Sequence, residues 1–295
     1  MADRIFVQIP AYRDRELVAT VSNLYQQARH PERLRVAIAW QYAEEELCHE
    51  RELEQWPNLT LLKVPASESR GCNWARSRLQ QLWDGERYTL FLDSHHRFVP
   101  EWDVHALSLL DGLRSASDKP VLTGYLPPYD PRRDPQGRAS SIYRVRPVER
   151  HQGLLFRLVG DPVTAPETLT APMRARFVSL HFLLADGRFN QEVPVDASIY
   201  FFADEIAMAL RAHTHGYDLF HPHRVLGWHL YDRASRVPHW RDHADWRARN
   251  VASCQQLRAL YRGELRGRFG VGPVRSVADY ESLIGQPLIE GGGQA

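Results

Sequence analysis

The first 125 residues alternate short apolar runs with helical periodicities. Arg4–Pro10 (RIFVQIP) is apolar and closed by proline, the pattern of a buried strand. Leu17, Val21, Leu24 and Ala28 then recur at three- and four-residue steps, which predicts a helix with Asp14 as its N-cap. Arg35–Trp40 and Leu59–Pro65 repeat the strand pattern. Ala75, Leu79, Leu82 and Trp83 mark a second helix, Tyr88–Asp93 a fourth strand, and Ala106, Leu109, Leu110 and Leu113 a third helix. This alternation predicts an α/β fold with a mostly parallel sheet covered on both faces. Ligands of such sheets sit at the carboxyl ends of the strands. Asp93 and the PAYRD segment after strand one fall at those ends.

The pattern then changes. Eight of the nineteen prolines lie between Pro127 and Pro172. Short antiparallel strands are expected there at SSIYRVRP and GLLFRLVG, in the kind of stretch that forms a rim over an active site. Arg174–Ala185 reads as a further strand, with a helix as the alternative. Ile206, Ala209, Leu210 and His213 share one face of a helix over Asp204–His213. His239–Arg262 is expected to be helical, and the closing EGGGQA to be disordered.

Charge and cysteine content narrow the partners. The formal net charge of 295 residues is +1, so no global field draws in nucleic acid or an anionic membrane, and anion recognition has to be local. No run reaches the ~18 apolar residues of a membrane span, and no secretory signal is expected. Cys48, Cys72 and Cys254 are odd in number and lack CxxC spacing, which predicts free thiols and a cytoplasmic location.

The candidate chemistry lies in TLFLDSHHRF, where a buried strand delivers ionisable groups at its tip. Residues two apart in an extended segment point to one side, so Asp93 and His95 share a face while Ser94 and His96 turn away. Their oxygen and nitrogen could reach one cation at ~2.0–2.2 Å. Mixed ligands favour manganese, iron or zinc over magnesium. Such a cation would neutralise the charge that grows on a diphosphate leaving group. A hydrogen-bonded polar turn leading into VPEWD fits the same residues. Histidine is abundant, fourteen in all, and most fall between His181 and His243.

LFLDSH looks like the metal motif of the mucin-type polypeptide N-acetylgalactosaminyltransferases. A longer pattern fits another family. IPAYRDRELVATVSNLYQQARHPERLRVAIAWQ, RGCNWARSRLQQLWDGERYTLFLDSHHRFVPEWD, FFADEIAMALRAHTHGYDLFHP and GVGPVRSVADYESLIG together resemble the cytosolic GlcNAc-transferase family, which includes an enzyme that modifies hydroxyproline on an adaptor subunit of a ubiquitin ligase. The resemblance implies a GT-A fold over residues 1–285, with a nucleotide-binding half (1–125), an acceptor and metal half (126–235), a helical tail and closing segment (236–285) and a disordered end (286–295). It also implies a UDP-sugar donor, a protein or glycan hydroxyl acceptor, retention of configuration and a divalent cation, manganese before magnesium. Asp93, His95 and His229 match the family's metal ligands, with His221 and His223 as competitors for the third place. The helix motif, usually Gly-Glu-Glu in relatives, reads Ala203-Asp204-Glu205 here, and Ala11 stands where serine is common.

Around that centre, Tyr12 is expected to stack on uracil, with Arg13 beside it, unless this segment is only a helix cap with a solvated arginine. Arg70 and Arg76 flank GCNWA at a helix start, a place that suits phosphate. Arg76 is the preferred donor contact, and Ser94 is counted with the donor-side residues. Asp204 and Glu205 complement a helix dipole, and at least one should face sugar or acceptor. Glu205 is a candidate nucleophile or stabiliser of a transient cation, so the catalytic candidates are Asp93, His95, Asp204 and Glu205. Arg233, His239 and Trp240 would close over the diphosphate. Arg275 in GVGPVRS is either a donor contact or part of a turn that pins the tail. Two other functions compete with transfer: a metal-dependent nucleotide-sugar hydrolase and a non-catalytic sugar-binding module.

Overall fold

A computed structural model describes residues 3–233 and 236–291. The alternating half forms β1 (Ile5–Tyr12), α1 (Leu17–Gln27), β2 (Leu34–Tyr42), α2 (Glu50–Glu54), β3 (Leu59–Pro65), α3 (Cys72–Gln80) and β4 (Tyr88–Leu92). A short strand, β5 (His96–Phe98), α4 (Trp102–Gly112) and β6 (Pro120–Thr123) follow. The proline-rich region contributes a hairpin, β7 (Tyr143–His151) and β8 (Leu154–Pro162), and the two-residue β9 (Met173–Arg174). The remainder is β10 (Phe182–Asp186), α5 (Phe189–Glu192), α6 (Asp204–Thr214), β11 (Asp218–His221), β12 (Gly227–His229), α7 (His239–Asp242), α8 (Trp246–Tyr261) and α9 (Val277–Ile284).

Eight strands form one sheet in the order β3-β2-β1-β4-β10-β6-β11-β9. The first four are parallel, and β6 and β11 are parallel to each other. Only β10 and β9 run against their neighbours. Ile5, Val7, Ile9 and Phe6 are all buried, so both faces of β1 are covered, which explains its unbroken apolar run. The chain therefore has the predicted α/β fold, mostly parallel, with a smaller antiparallel part.

Two small ribbons stand apart from the main sheet. β5 pairs with β12, placing His229 opposite His96. β7 pairs with β8 around Gln152 and Gly153, whose φ values of 52° and 77° are those a tight hairpin turn requires. The chain end adds to that hairpin. Leu155 N–H donates to Leu288 O at 2.9 Å, and Glu290 N–H to Gly153 O at 2.7 Å.

Three expectations need correction. The strand expected over Arg174–Ala185 is two strands, β9 and β10, separated by residues in neither helix nor strand, because Phe177, Val178 and Leu180 bury their side chains in the core without ladder partners. The tail helix breaks at His243–Asp245 into α7 and α8. Disorder does not begin at 286, since Leu288 is fully buried and paired; residues 292–295 lie outside the described residues. Leu288→Ala should lower stability by about 2–5 kcal/mol, the range for a buried leucine truncation. Urea denaturation checks this, and a loss below about 1 kcal/mol would mean that the chain end is not part of the core.

Candidate active site

The site is built where β4 ends. Its last residue, Leu92, is buried, and Asp93 is the first residue beyond the ladder, with its side chain partly exposed. The chain then bends through Ser94 and His95 into β5, which carries it to β12 and so to His229. Asp93, His95 and His229 offer ligand atoms that all lie within 4.8 Å of one another. Asp93 Oδ2 is 3.7 Å from His95 Nε2 and 3.5 Å from His229 Nε2. Neither ring nitrogen of His229 has a hydrogen-bond partner, although the residue is buried. Buried polar atoms without partners are costly. One carboxylate and two imidazoles converging in this way fit a divalent cation of mixed oxygen and nitrogen preference.

The surrounding groups orient these three. Asp14 follows β1, the neighbour of β4. Its Oδ2 accepts the Ser94 hydroxyl at 2.6 Å and lies 2.7 Å from His95 Nδ1. A carboxylate accepts, so Nδ1 carries the proton and Nε2 is left with its lone pair. Burial pushes the Asp14 carboxyl up, but His95 and Ser94 outweigh it and hold the pKa below its usual range. Arg76 Nη2 donates to Asp93 Oδ1 at 3.0 Å and Nη1 to Asp204 Oδ2 at 3.1 Å. For Asp93 burial is likewise opposed, here by His229 and Arg76, and the carboxyl is held well below its usual range. His181 stacks on His229, with ring centroids 4.1 Å apart. Arg236 Nη1 contacts His95 Nε2 closely.

Two cavities share Asp93, Phe201, His229, Tyr231 and Arg233 as their common wall. The smaller, of about 220 Å³, also has Tyr12, Ser94, His95, His239 and Trp240 in its lining. The larger, of about 570 Å³, is bounded by Tyr143 and Phe156 of the hairpin and holds Tyr125, Asp204 and Glu205. Gly71, with φ of 107°, opens α3 beside the smaller cavity, where a Cβ would stand 3.0 Å from the Tyr200 ring. Glu205 is held on both oxygens: Leu180 N–H donates at 2.9 Å and the Tyr125 hydroxyl at 3.0 Å. Burial, then the Asp204 charge, pushes its pKa up to about 7.

Several expected contacts lie elsewhere. Arg70 is exposed and lines neither cavity. Arg275 bonds to Asp218 and to Tyr217 O, pinning the turn. Arg13 pairs with Asp242 and Glu45 outside both cavities. Arg76 holds two carboxylates and lines the larger cavity. Tyr12 and His239 do line the smaller cavity, where Tyr12 bonds to Asp242 at 2.6 Å and His239 to Tyr200 and Ser69. His221 has both nitrogens engaged, by Thr123 O and Val145 N–H, and His223 is outside the cluster. Ser94 is turned into Asp14. The N-cap of α1 is Glu16; Asp14 accepts its N–H but spends its other oxygen on Ser94 and His95. Sequence reasoning missed that second role, and also Tyr125, His181 and Arg236.

A family model for glycosyltransferases described as GlcNAc matches residues 4–56 and 48–278. The chain belongs to this glycosyltransferase family. It is therefore an enzyme, which sets aside the non-catalytic binding module. Among solved structures, this glycosyltransferase is similar to GalNAc-T7, solved with UDP, GalNAc and Mn²⁺, at 13% identity and a TM-score of 0.58; the match covers 96% of this chain and 54% of that one. S. aureus TarS 1–349 matches at 13% identity and a TM-score of 0.52, over 77% of this chain and 60% of that one. TarS 1–349 in complex with UDP-GlcNAc gives 13% and 0.51, over 88% and 71%. These likenesses establish the fold. No curated protein sequence matches the chain. No helix among the described residues is long and apolar enough to cross a membrane.

The raised Glu205 pKa has a thermodynamic signature. Between the ordinary value of 4.5 and about 7, the folded glycosyltransferase binds a proton at Glu205 that the unfolded chain has released. Stability contributed by this group is thus present below pH 4.5 and falls as pH rises to about 7. Glu205→Gln should flatten that descent in denaturation curves taken on metal-free protein at a series of pH values. An unchanged slope would place Glu205 at an ordinary carboxyl pKa.

Proposed function

We propose that the protein is a metal-dependent, retaining glycosyltransferase that moves N-acetylglucosamine from UDP-N-acetylglucosamine to a hydroxyl of a protein or glycan in the cytoplasm. The observation that carries this reading is the convergence of Asp93, His95 and His229, the first and last of them on the wall shared by two cavities and His95 on the smaller one. Asp93, His95 and His229 would hold the ion, for which their donor set favours manganese, with magnesium as the alternative. When bound, it supplies positive charge against the diphosphate as the sugar bond breaks. The complexes of TarS with UDP-GlcNAc and of GalNAc-T7 with UDP, GalNAc and Mn²⁺ support the donor class.

The chain's own residues divide the remaining work. Tyr12 and His239 line the smaller cavity, which takes the uridine. The exposed Arg233 faces both cavities and offers its guanidinium to phosphate oxygens. Asp14 and Arg76 hold His95 and Asp93 in place. Coordination by His95 would need the nitrogen that Arg236 now contacts, so Arg236 would have to release it. The larger cavity, with its aromatic wall, takes sugar and acceptor, and Glu205 faces the developing positive charge of the sugar.

A panel of nucleotide sugars assayed for UDP release with manganese tests the reading. UDP-N-acetylglucosamine should be turned over fastest, with release stimulated by an acceptor; fast release indifferent to any acceptor would mark a hydrolase. Asp93→Asn should lower kcat by about 100-fold or more, and unchanged manganese-dependent turnover would refute the ion site. Asp14→Asn should weaken manganese binding about 10–100-fold by calorimetry.

A further inference from the structure

The ribbon of β7 and β8 is a sheet of two strands, so each strand has an outer edge. That of β7 is closed against the body of the protein: Val145 N–H donates to His221 Nε2 at 3.2 Å. The same bond fixes the phase of the ladder. Val145 turns its main chain away from β8, so its pair with Gly160 is of the kind that exchanges no hydrogen bonds. The pair two residues on, Pro147 with Leu158, is of that kind too, and proline, which has no N–H, fits there without loss. Leu158 and Gly160 therefore direct their N–H and C=O groups away from β7, out of the other edge of the ribbon.

The chain end uses that edge near the hairpin turn. Gly153 O accepts Glu290 N–H at 2.7 Å, Leu155 N–H donates to Leu288 O at 2.9 Å, and Leu154 and Ile289 form an antiparallel bridge. The support stops there. Among the described residues, nothing bonds the outward main-chain groups of Leu158 and Gly160. Phe156, Arg157, Leu158, Val159 and Gly160 all line the larger cavity. Successive side chains of a strand point to opposite faces, so a cavity that touches five residues in a row runs along the strand's edge. Asp93, Asp204 and Glu205 line the same cavity. Phe156 stacks on Phe202 with ring centroids 4.8 Å apart. A Cβ on Gly160 would lie 3.2 Å from the ring of Tyr125, whose hydroxyl holds Glu205.

We propose that the outer edge of β8 is a docking strand for the acceptor: an extended polypeptide lies along the edge that residues 288–290 occupy nearer the turn, exchanges main-chain hydrogen bonds with Leu158 and Gly160, and so carries a hydroxyl side chain toward Glu205. Open strand edges recruit extended chains, and this edge already holds one in the chain end. A saccharide has no repeat of N–H and C=O groups to match it. Recognition reads the main chain, so acceptors of varied sequence are taken. The inference rests on the proposed transferase reading, and its test keeps the two apart.

The test supplies UDP-N-acetylglucosamine and manganese with two acceptor pools: decapeptides of degenerate sequence with one hydroxyl-bearing residue at the centre, and free oligosaccharides. Transfer should go to the peptides. On the best peptide, methylating one backbone nitrogen at a time should raise KM about 3–10-fold at alternate residues, the loss of one hydrogen bond, and leave KM within about twofold at the residues between. Transfer to oligosaccharides alone would overturn the proposal, as would transfer to neither pool or a methylation scan without the two-residue period. A protein that releases UDP from no nucleotide sugar defeats the transferase reading instead. Fluorescence anisotropy of labelled peptides, scanned in the same way, then decides the edge: binding with the two-residue period upholds it, and no binding or no period overturns it.

Discussion

The Asp93 carboxylate stands at the end of a strand whose side chains are all buried. A charge in such a place is tolerable only when it is paired and hydrogen-bonded. Arg76 provides that pairing from α3, and in doing so ties Asp93 to Asp204 at the start of α6. The guanidinium is itself buried, so removing either carboxylate leaves it with half of its charge pairing. The end of β4, α3 and the start of α6 are thus registered to one another through a single guanidinium. The histidines then arrange themselves around a carboxylate that is already fixed.

Much of this was legible in the sequence because burial leaves a strong imprint. Strands covered on both faces must be continuous apolar runs, and β1, β2 and β4 were recognisable as such within a residue or two. The tip of β4 stood out because ionisable groups rarely follow such a run without a purpose. What periodicity could not convey was direction. β10 reads like any buried strand, yet it enters the sheet antiparallel between β4 and β6. Its direction depends on where the preceding segment crosses the core, which is a property of tertiary packing.

The arginines show the other limit. Arg70, Arg76 and Arg275 look alike in sequence, each within five residues of a glycine. Packing alone separates them, into an exposed side chain, a buried bridge between carboxylates and the anchor of a turn. Asp14 had a signal that could have been used. It follows β1, and β1 is next to β4 in a parallel sheet, so the two strand tips must adjoin.

The hairpin that walls the larger cavity is completed from far away in the chain. Leu154 bridges to Ile289, and Arg150 reaches Gln286 and the carbonyls of Pro287 and Leu288. Ribosomes deliver the amino-terminal sheet first. The β7–β8 ribbon must therefore wait, one edge bare, through the translation of more than a hundred further residues. The catalytic floor can assemble on the ribosome, but the chamber above it is finished only once residues 286–290 have emerged.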